Sequence, residues 1–266
     1  MFAGCAGSGV GGGDYHPAME IRGGAALVTG ATGGLGQAVA RRLRGEGCSL
    51  TVTGRRGDVL ESLAREVEGR AVVADLASGG GLRGLVDTAG DVDVLVLAAG
   101  VGGGGALTSH GLDDVDRVLD VNLRAPVALA RLVGERMVAN GRGHIVFVSS
   151  LGGKAARAGA ALHSAASFGV RGFALALRQE WAPLGVGVSC VNVGPVDEAE
   201  VHDNVALPAG FRPKSPEDVA AAVVRAIRHD RAEVDVADPV KRAGVMFGQL
   251  APQTAARLNR IAGTER

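Results

Sequence analysis

The chain of 266 residues predicts an α/β fold, a single doubly wound parallel sheet flanked by helices on both faces. Three observations carry this. Short β-branched or apolar runs alternate with helical segments from residue 25 onward. The runs are near-continuously apolar, as strands covered on both faces must be. Hydrophobic residues make up 47% and charged residues 21%, which suits the core of one generous domain.

The elements follow in order. "AALVT" (25–29) reads as the first strand and leads through a glycine-rich turn into a helix near 35–46. "LTVT" (50–53) and "RAVVA" (70–74) are the next two strands, with helices near 57–67 and 80–89. "VDVLVL" (92–97) precedes a long helix near 112–139, and "HIVFVS" (144–149) a second long helix near 160–183. "VGVSCVNV" (186–193) is the sixth strand. "SPED" (215–218) opens a helix near 215–229, with Ser215 as N-cap, Pro216 at the first position and acids in the first turn. "AEVDVA" (232–237) is the seventh strand, before a last helix near 240–262. Right-handed crossovers should join the parallel strands.

Residues 1–21 read as a flexible Gly-rich tail, with neither the basic nor the apolar region of a signal peptide, and 22–266 as one domain. The irregular stretch "PVDEAEVHDNVALPAGFRPK" (195–214) reads as a lid. Its acids with Val201, Val205, Leu207 and Phe211 suit a mid-sized, largely apolar organic ligand better than a sugar phosphate. The amphipathic "VMFGQLAPQTAARLNRI" (245–261) is ordinary packing in the plain reading, and a pocket cap or partner contact in the functional one.

A formal net charge of zero argues against nucleic acid or an anionic membrane as partner, and no run is long enough to span a bilayer. Cys5, Cys48 and Cys190 have no metal-ligand spacing, and no His/Cys/acid cluster suggests a metal. A reduced, cytoplasmic setting is expected.

The first strand runs into "TGATGGLG" (29–36). Glycines at a strand-to-helix turn let backbone approach a pyrophosphate, and the helix N-terminus offers unbonded N–H groups. This makes the sheet Rossmann-type in expectation. The second strand ends in "TGRR", without the carboxylate that would hold a ribose hydroxyl of NAD. Arg55 is placed to fork onto a 2′-phosphate, so NADP(H) is the expected dinucleotide, in a structural or vestigial role if not a redox one. The plain alternative is a solvated surface arginine.

Together "TGATGGLG", "ADL" (74–76), "AAG" (98–100), Asn122 of "DVNLRAP" and "VSS" (148–150) resemble the short-chain dehydrogenase/reductase family over residues 22 to 230. The resemblance implies cofactor contacts from Gly30, Thr32, Gly34, Leu35, Gly36, Asp75, Leu76, Ala99 and Gly100, with Asp75 at the adenine. It also implies a homodimer or homotetramer packed through the helices near 112–139 and 160–183. The family's chemistry uses Ser, Tyr and Lys, assisted by Asn. Ser150 and Asn122 match, and Pro126 deprives the carbonyl of residue 122 of its helical partner, leaving it for water.

The Tyr-x-x-x-Lys pair is absent: His163 and Ser167 stand in its places. No other alignment restores it, because the single tyrosine is Tyr15 and the lysines are Lys154, Lys214 and Lys241. The family's Asn-Asn-Ala-Gly is reduced to "LAAG" (97–100), and Val193 replaces the proline of its Pro-Gly. The departures gather on the nicotinamide side.

Three functions follow. The first is a non-redox acid/base catalyst for cyclisation, dehydration or isomerisation of a carbonyl-bearing, secondary-metabolite-like intermediate, using Ser150, His163 and Asn122. An imidazole needs no lysine to exchange protons near neutrality. The second is an NADPH-dependent carbonyl, imine or enone reductase with His163 or water as proton donor. The third is a non-catalytic dinucleotide-binding or partner subunit. A purely space-filling His163 stands level with a functional one. Ser167 reads as filler, Lys154 as a surface lysine, and His110 and His202 as solvated loop histidines at the mouth.

Overall fold

The computed structural model describes residues 19–196 and 213–261. Seven parallel strands form one sheet in the order β3-β2-β1-β4-β5-β6-β7. They are β1 (Ala25–Thr29), β2 (Ser49–Gly54), β3 (Arg70–Val73), β4 (Val94–Leu97), β5 (Gly143–Ser150), β6 (Val186–Val193) and β7 (Glu233–Val236). β4, β6 and most of β5 are buried on both faces, which is why they carry no alternation of apolar and polar residues.

Helices cover both faces. α1 (Gly34–Gly45), α2 (Gly57–Glu66) and α7 (Pro216–Arg228) close one apolar layer through Val39, Leu43, Leu60, Leu63, Val223 and Ile227. α3 (Gly79–Ala89), α5 (Ala125–Asn140) and α6 (Ala161–Trp181) close the other through Leu85, Leu129, Val133, Met137, Val170 and Leu177. Each such leucine or valine contributes about 1.5–3 kcal/mol by leaving water. Ser215 caps α7 as expected: its Oγ accepts from the Asp218 N–H at 3.1 Å, and the Asp218 carboxylate accepts from the Ser215 N–H at 3.1 Å.

Several sequence expectations are corrected. The long helix near 112–139 is two helices, α4 (Leu112–Leu119) and α5, joined by a π-turn over Asp120–Arg124. Pro126 is the cause, since it cannot continue the regular ladder. The last helix near 240–262 is likewise two, α8 (Pro239–Leu250) and α9 (Pro252–Ile261), broken ahead of Pro252. Ile21, assigned to the tail, is buried at 3% exposure in the core, so the packed chain begins before residue 22. Most of the segment read as a lid lies outside the described residues. Its ends meet in a bridge between Val196 and Lys214, with Lys214 N–H donating to the Pro195 carbonyl.

Candidate active site

β1 and β4 are neighbours while the chain between them runs outward through β2 and β3, so a crevice opens where the strand order reverses. Gly30 leaves β1 at φ 67°, and a methyl group on it would lie 2.6 Å from Ala99 Cα. A methyl group on Gly36 would lie 2.2 Å from the Gly30 carbonyl oxygen. Only glycine allows that fold-back. Gly33 caps α1 without a side chain, and no acid stands in the first turn. The N–H groups about Gly34 and Leu35 therefore face outward with the helix dipole behind them, a cradle for phosphate.

The rest of the crevice is built as a dinucleotide would need. Thr32 packs against Gly54, where a methyl group would lie 2.7 Å from its Cγ2. Arg56 donates to the Thr32 carbonyl at 2.6 Å and braces the loop. Arg55 is exposed and has no polar partner among the described residues. Asp75 is exposed at the end of β3, its Oδ1 accepting from the Ala77 N–H at 3.1 Å, and Leu76 beside it is buried. Thr29 Oγ1 accepts from the N–H groups of Ala98 and Ala99 at 3.1 and 3.2 Å, fixing the "AAG" turn that ends at Gly100.

On the other side of the crevice, β5 ends at Ser150 and the chain turns tightly over Leu151–Gly153. Ser150 Oγ accepts from the Gly152 N–H at 3.0 Å, which leaves its own proton for a ligand. His163 sits in the first turn of α6, its N–H donating to the Gly103 carbonyl at 3.3 Å. Sequence spacing had paired Ser150 with His163, and Gly152 is where they meet. A methyl group there would lie 3.1 Å from His163 Nε2 and 3.3 Å from Ser150 Oγ. Burial, and secondarily the positive charge of Arg157, holds the His163 imidazole below its ordinary pKa. It is neutral at pH 7.

Asn122 is near but occupied. Its Oδ1 accepts from the Val101 N–H and its Nδ2 donates to the Val101 carbonyl, both at 2.8 Å. The side chain clamps the loop after β4 and is not aimed at a substrate. Asn122 lies in the π-turn, four residues before Pro126, which has no N–H to offer its carbonyl. Ser167 fills space: it packs beneath Gly153, where a methyl group would meet its carbonyl oxygen at 2.6 Å. The adenine and phosphate side thus fits a dinucleotide, and position 167, buried beneath Gly153, carries a hydroxyl and no cation.

Two sequence readings fail. Lys154 is no surface lysine: its side chain is 10% exposed, and Nζ lies 2.7 Å from Asp235 and 3.5 Å from Glu233. Arg171 from α6 forks onto Glu233 at 2.7 and 3.0 Å, and Asn192 Nδ2 donates to both acids. The Cys190 thiol donates to Asn192 and is raised by burial to about 12, so it is no nucleophile. This charge-balanced cluster ties the turn after Ser150 to β7. Its members are up to 81 residues apart, and no local spacing announces them. His110 is not solvated either; its Nε2 is buried beside Gly105 with no hydrogen-bond partner among the described residues. His202 lies outside the described residues. No metal-holding group of His, Cys, Asp or Glu occurs among the described residues.

Comparison with known proteins agrees with this geometry. The profile of the family described as short chain dehydrogenase matches residues 24–207. A ketoacyl reductase (HetN) of Nostoc sp. is 30% identical over 253 residues, 89% of this chain and 88% of the relative. A glycine betaine reductase (ATRR) of Emericella nidulans is 33% identical over 80% of this chain, which spans only 18% of that longer protein. Among solved structures, a blue fluorescent protein from a metagenomic library in complex with NADPH superposes with TM-score 0.73 at 28% identity, over 82% of this chain and 98% of that one. On the match of its family profile and of the ketoacyl reductase over most of its length, the chain belongs to the short-chain dehydrogenase/reductase family.

Proposed function

We propose that the chain is a non-redox acid/base catalyst with a degenerate tetrad, acting on a mid-sized, largely apolar carbonyl compound. The carrying observation is the neutral, half-buried imidazole of His163 facing Ser150 across Gly152. The depressed pKa favours the neutral imidazole at rest, so His163 enters the reaction as the base. In this reading Ser150 O–H donates to the substrate carbonyl, and His163 Nε2 takes the proton from the adjacent carbon. The resulting enolate, hydrogen-bonded by Ser150, collapses with isomerisation, ring closure or loss of a β-leaving group, and the imidazolium returns its proton to product or leaving group. Asn122 positions the loop after β4, and its main-chain carbonyl orients water. NADP(H), held by the glycine loop, Asp75 and Arg55, supplies hydride chemistry in relatives of this fold and has a structural role here. The assembly is a homodimer or homotetramer through α5 and α6.

A second reading, an NADPH-dependent reductase of activated carbonyls, imines or enones, draws on the reductase relatives and on the intact phosphate cradle. Without tyrosine the lost general acid would cost about 10²–10⁴ in rate.

Calorimetry with NADPH, NADP⁺ and NADH, followed by NMR of α-proton exchange into D₂O for a panel of apolar ketones, separates the two. The first reading expects exchange without nicotinamide, abolished in His163→Ala. Stoichiometric NADPH oxidation that survives His163→Ala would overturn it. Either way, Arg55→Glu should weaken NADPH binding by about 10–100-fold, the worth of a charge-assisted hydrogen bond, and leave NADH unaffected.

A further inference from the structure

We propose that the α8–α9 hairpin is a docking surface for an anionic lipid bilayer, which it meets with the outer face of α8. None of α8's residues is buried. Val245 and Gly248 are its more covered positions, and Gly248 packs on Ala155, where a methyl group would lie 3.1 Å from the Ala155 Cβ. The opposite face carries Val240, Ala243, Met246, Phe247 and Leu250. At 3.6 residues per turn these occupy an arc of about 120°. Val240 is 82% exposed, Met246 60%, Phe247 43% and Leu250 85%. No other helix of the described residues shows so much large apolar surface to water on one face.

Charge decides what covers it. From Pro239 to Ile261 the chain has Lys241, Arg242, Arg257 and Arg260 and no acid at all. Since the whole chain is neutral, the rest carries the compensating excess of acids. Arg242, Arg257 and Arg260 are exposed and have no ion-pair partner among the described residues. Lys241 stands at the root of the hairpin, beside Asp238. A second copy docked by a two-fold axis on this face would bring these cations against their own images, which is unfavourable. A bilayer interface rich in anionic headgroups satisfies both properties, with acyl chains for the apolar arc and phosphates for the arginines. Net charge averages this patch away, and no helix among the described residues is long and apolar enough to cross a membrane.

Vesicle co-sedimentation with the full chain tests this. Binding is expected to phosphatidylcholine–phosphatidylglycerol vesicles at low salt, with little to phosphatidylcholine alone, and should weaken as salt is raised. Leu250→Asp with Val240→Asp should abolish it. Arg242→Glu with Arg257→Glu should lower partitioning by about tenfold or more. All four positions are exposed, and circular dichroism would verify that each variant folds. The proposal is overturned by absence of binding to anionic vesicles, by variants that bind as the parent does, or by a concentration-dependent dimer that Leu250→Asp dissolves, which would make the occupant a second copy.

Discussion

At the scale of single residues, the proposed base His163 brings its own proton affinity. Burial is the larger cause of its lowered pKa and Arg157 the smaller, so Arg157→Ala should raise the value while leaving it below that of an exposed histidine. The Cε1–H NMR titration of His163 reads this directly; an unmoved midpoint would refute the contribution of Arg157. The sign for stability follows. A histidine depressed in the folded state binds fewer protons than in the unfolded chain, so stability holds above pH 6.5 and falls as pH drops from there toward the folded pKa. Gly152 sets the distance to Ser150. In Gly152→Ala the new methyl would press on His163 at 3.0 Å, and turnover should fall by about a hundredfold for a stability cost of about 1 kcal/mol. Steady-state kinetics beside a denaturation curve would separate the two effects.

At the scale of elements, the Lys154 cluster is the joint between the active-site turn and the edge strand. Burial pushes the Glu233 carboxyl up, but hydrogen bonds from Arg171 and Asn192 and the charges of Lys154 and Arg171 outweigh it, and the net direction is down. Stability from this carboxylate is therefore present above its unfolded pKa and lost as pH falls through the folded one. Lys154→Met leaves two acids facing one cation. It should cost about 3 kcal/mol in urea denaturation and move the acid-induced loss to higher pH, while Lys154→Arg should retain most of the stability. None of this was legible beforehand, whereas every strand lay within about two residues of its expected place. Strands such as "VLVL" announce themselves by composition within four residues. Ion pairs between a loop, a helix and two distant strands depend on tertiary register. The π-turn at Asp120–Arg124 was half legible: Pro126 signalled a broken ladder, but not the extra residue that bulges there. The pairing of Ser150 with His163 was legible because it rides on a fixed strand-to-helix connection. The engagement of Asn122 with Val101 was not, since it depends on where an irregular loop returns.

At the scale of the whole molecule, the outer face of α6 presents Ala165, Phe168, Gly172 and Ala176 to solvent, with Phe168 42% exposed. If subunits pair through this helix, Phe168→Arg should shift sedimentation from dimer or tetramer to monomer without changing the circular dichroism spectrum. An unchanged sedimentation profile would remove α6 from the interface. The strand order has a further consequence, for the history of the chain as it is made. Strands β1 to β3 are complete once residue 73 has emerged, yet the cradle is not, because Thr29 must wait for Ala98 and Ala99 to arrive with β4. From then on β5, β6 and β7 are added one after another to a single growing edge. The nucleotide half is thus finished while the catalytic half is still being synthesised, and the turn that carries Ser150 is pinned only when Asp235 docks on Lys154, almost at the end. In the order of synthesis, the residues of the phosphate cradle are thus complete before those that pin the Ser150 turn.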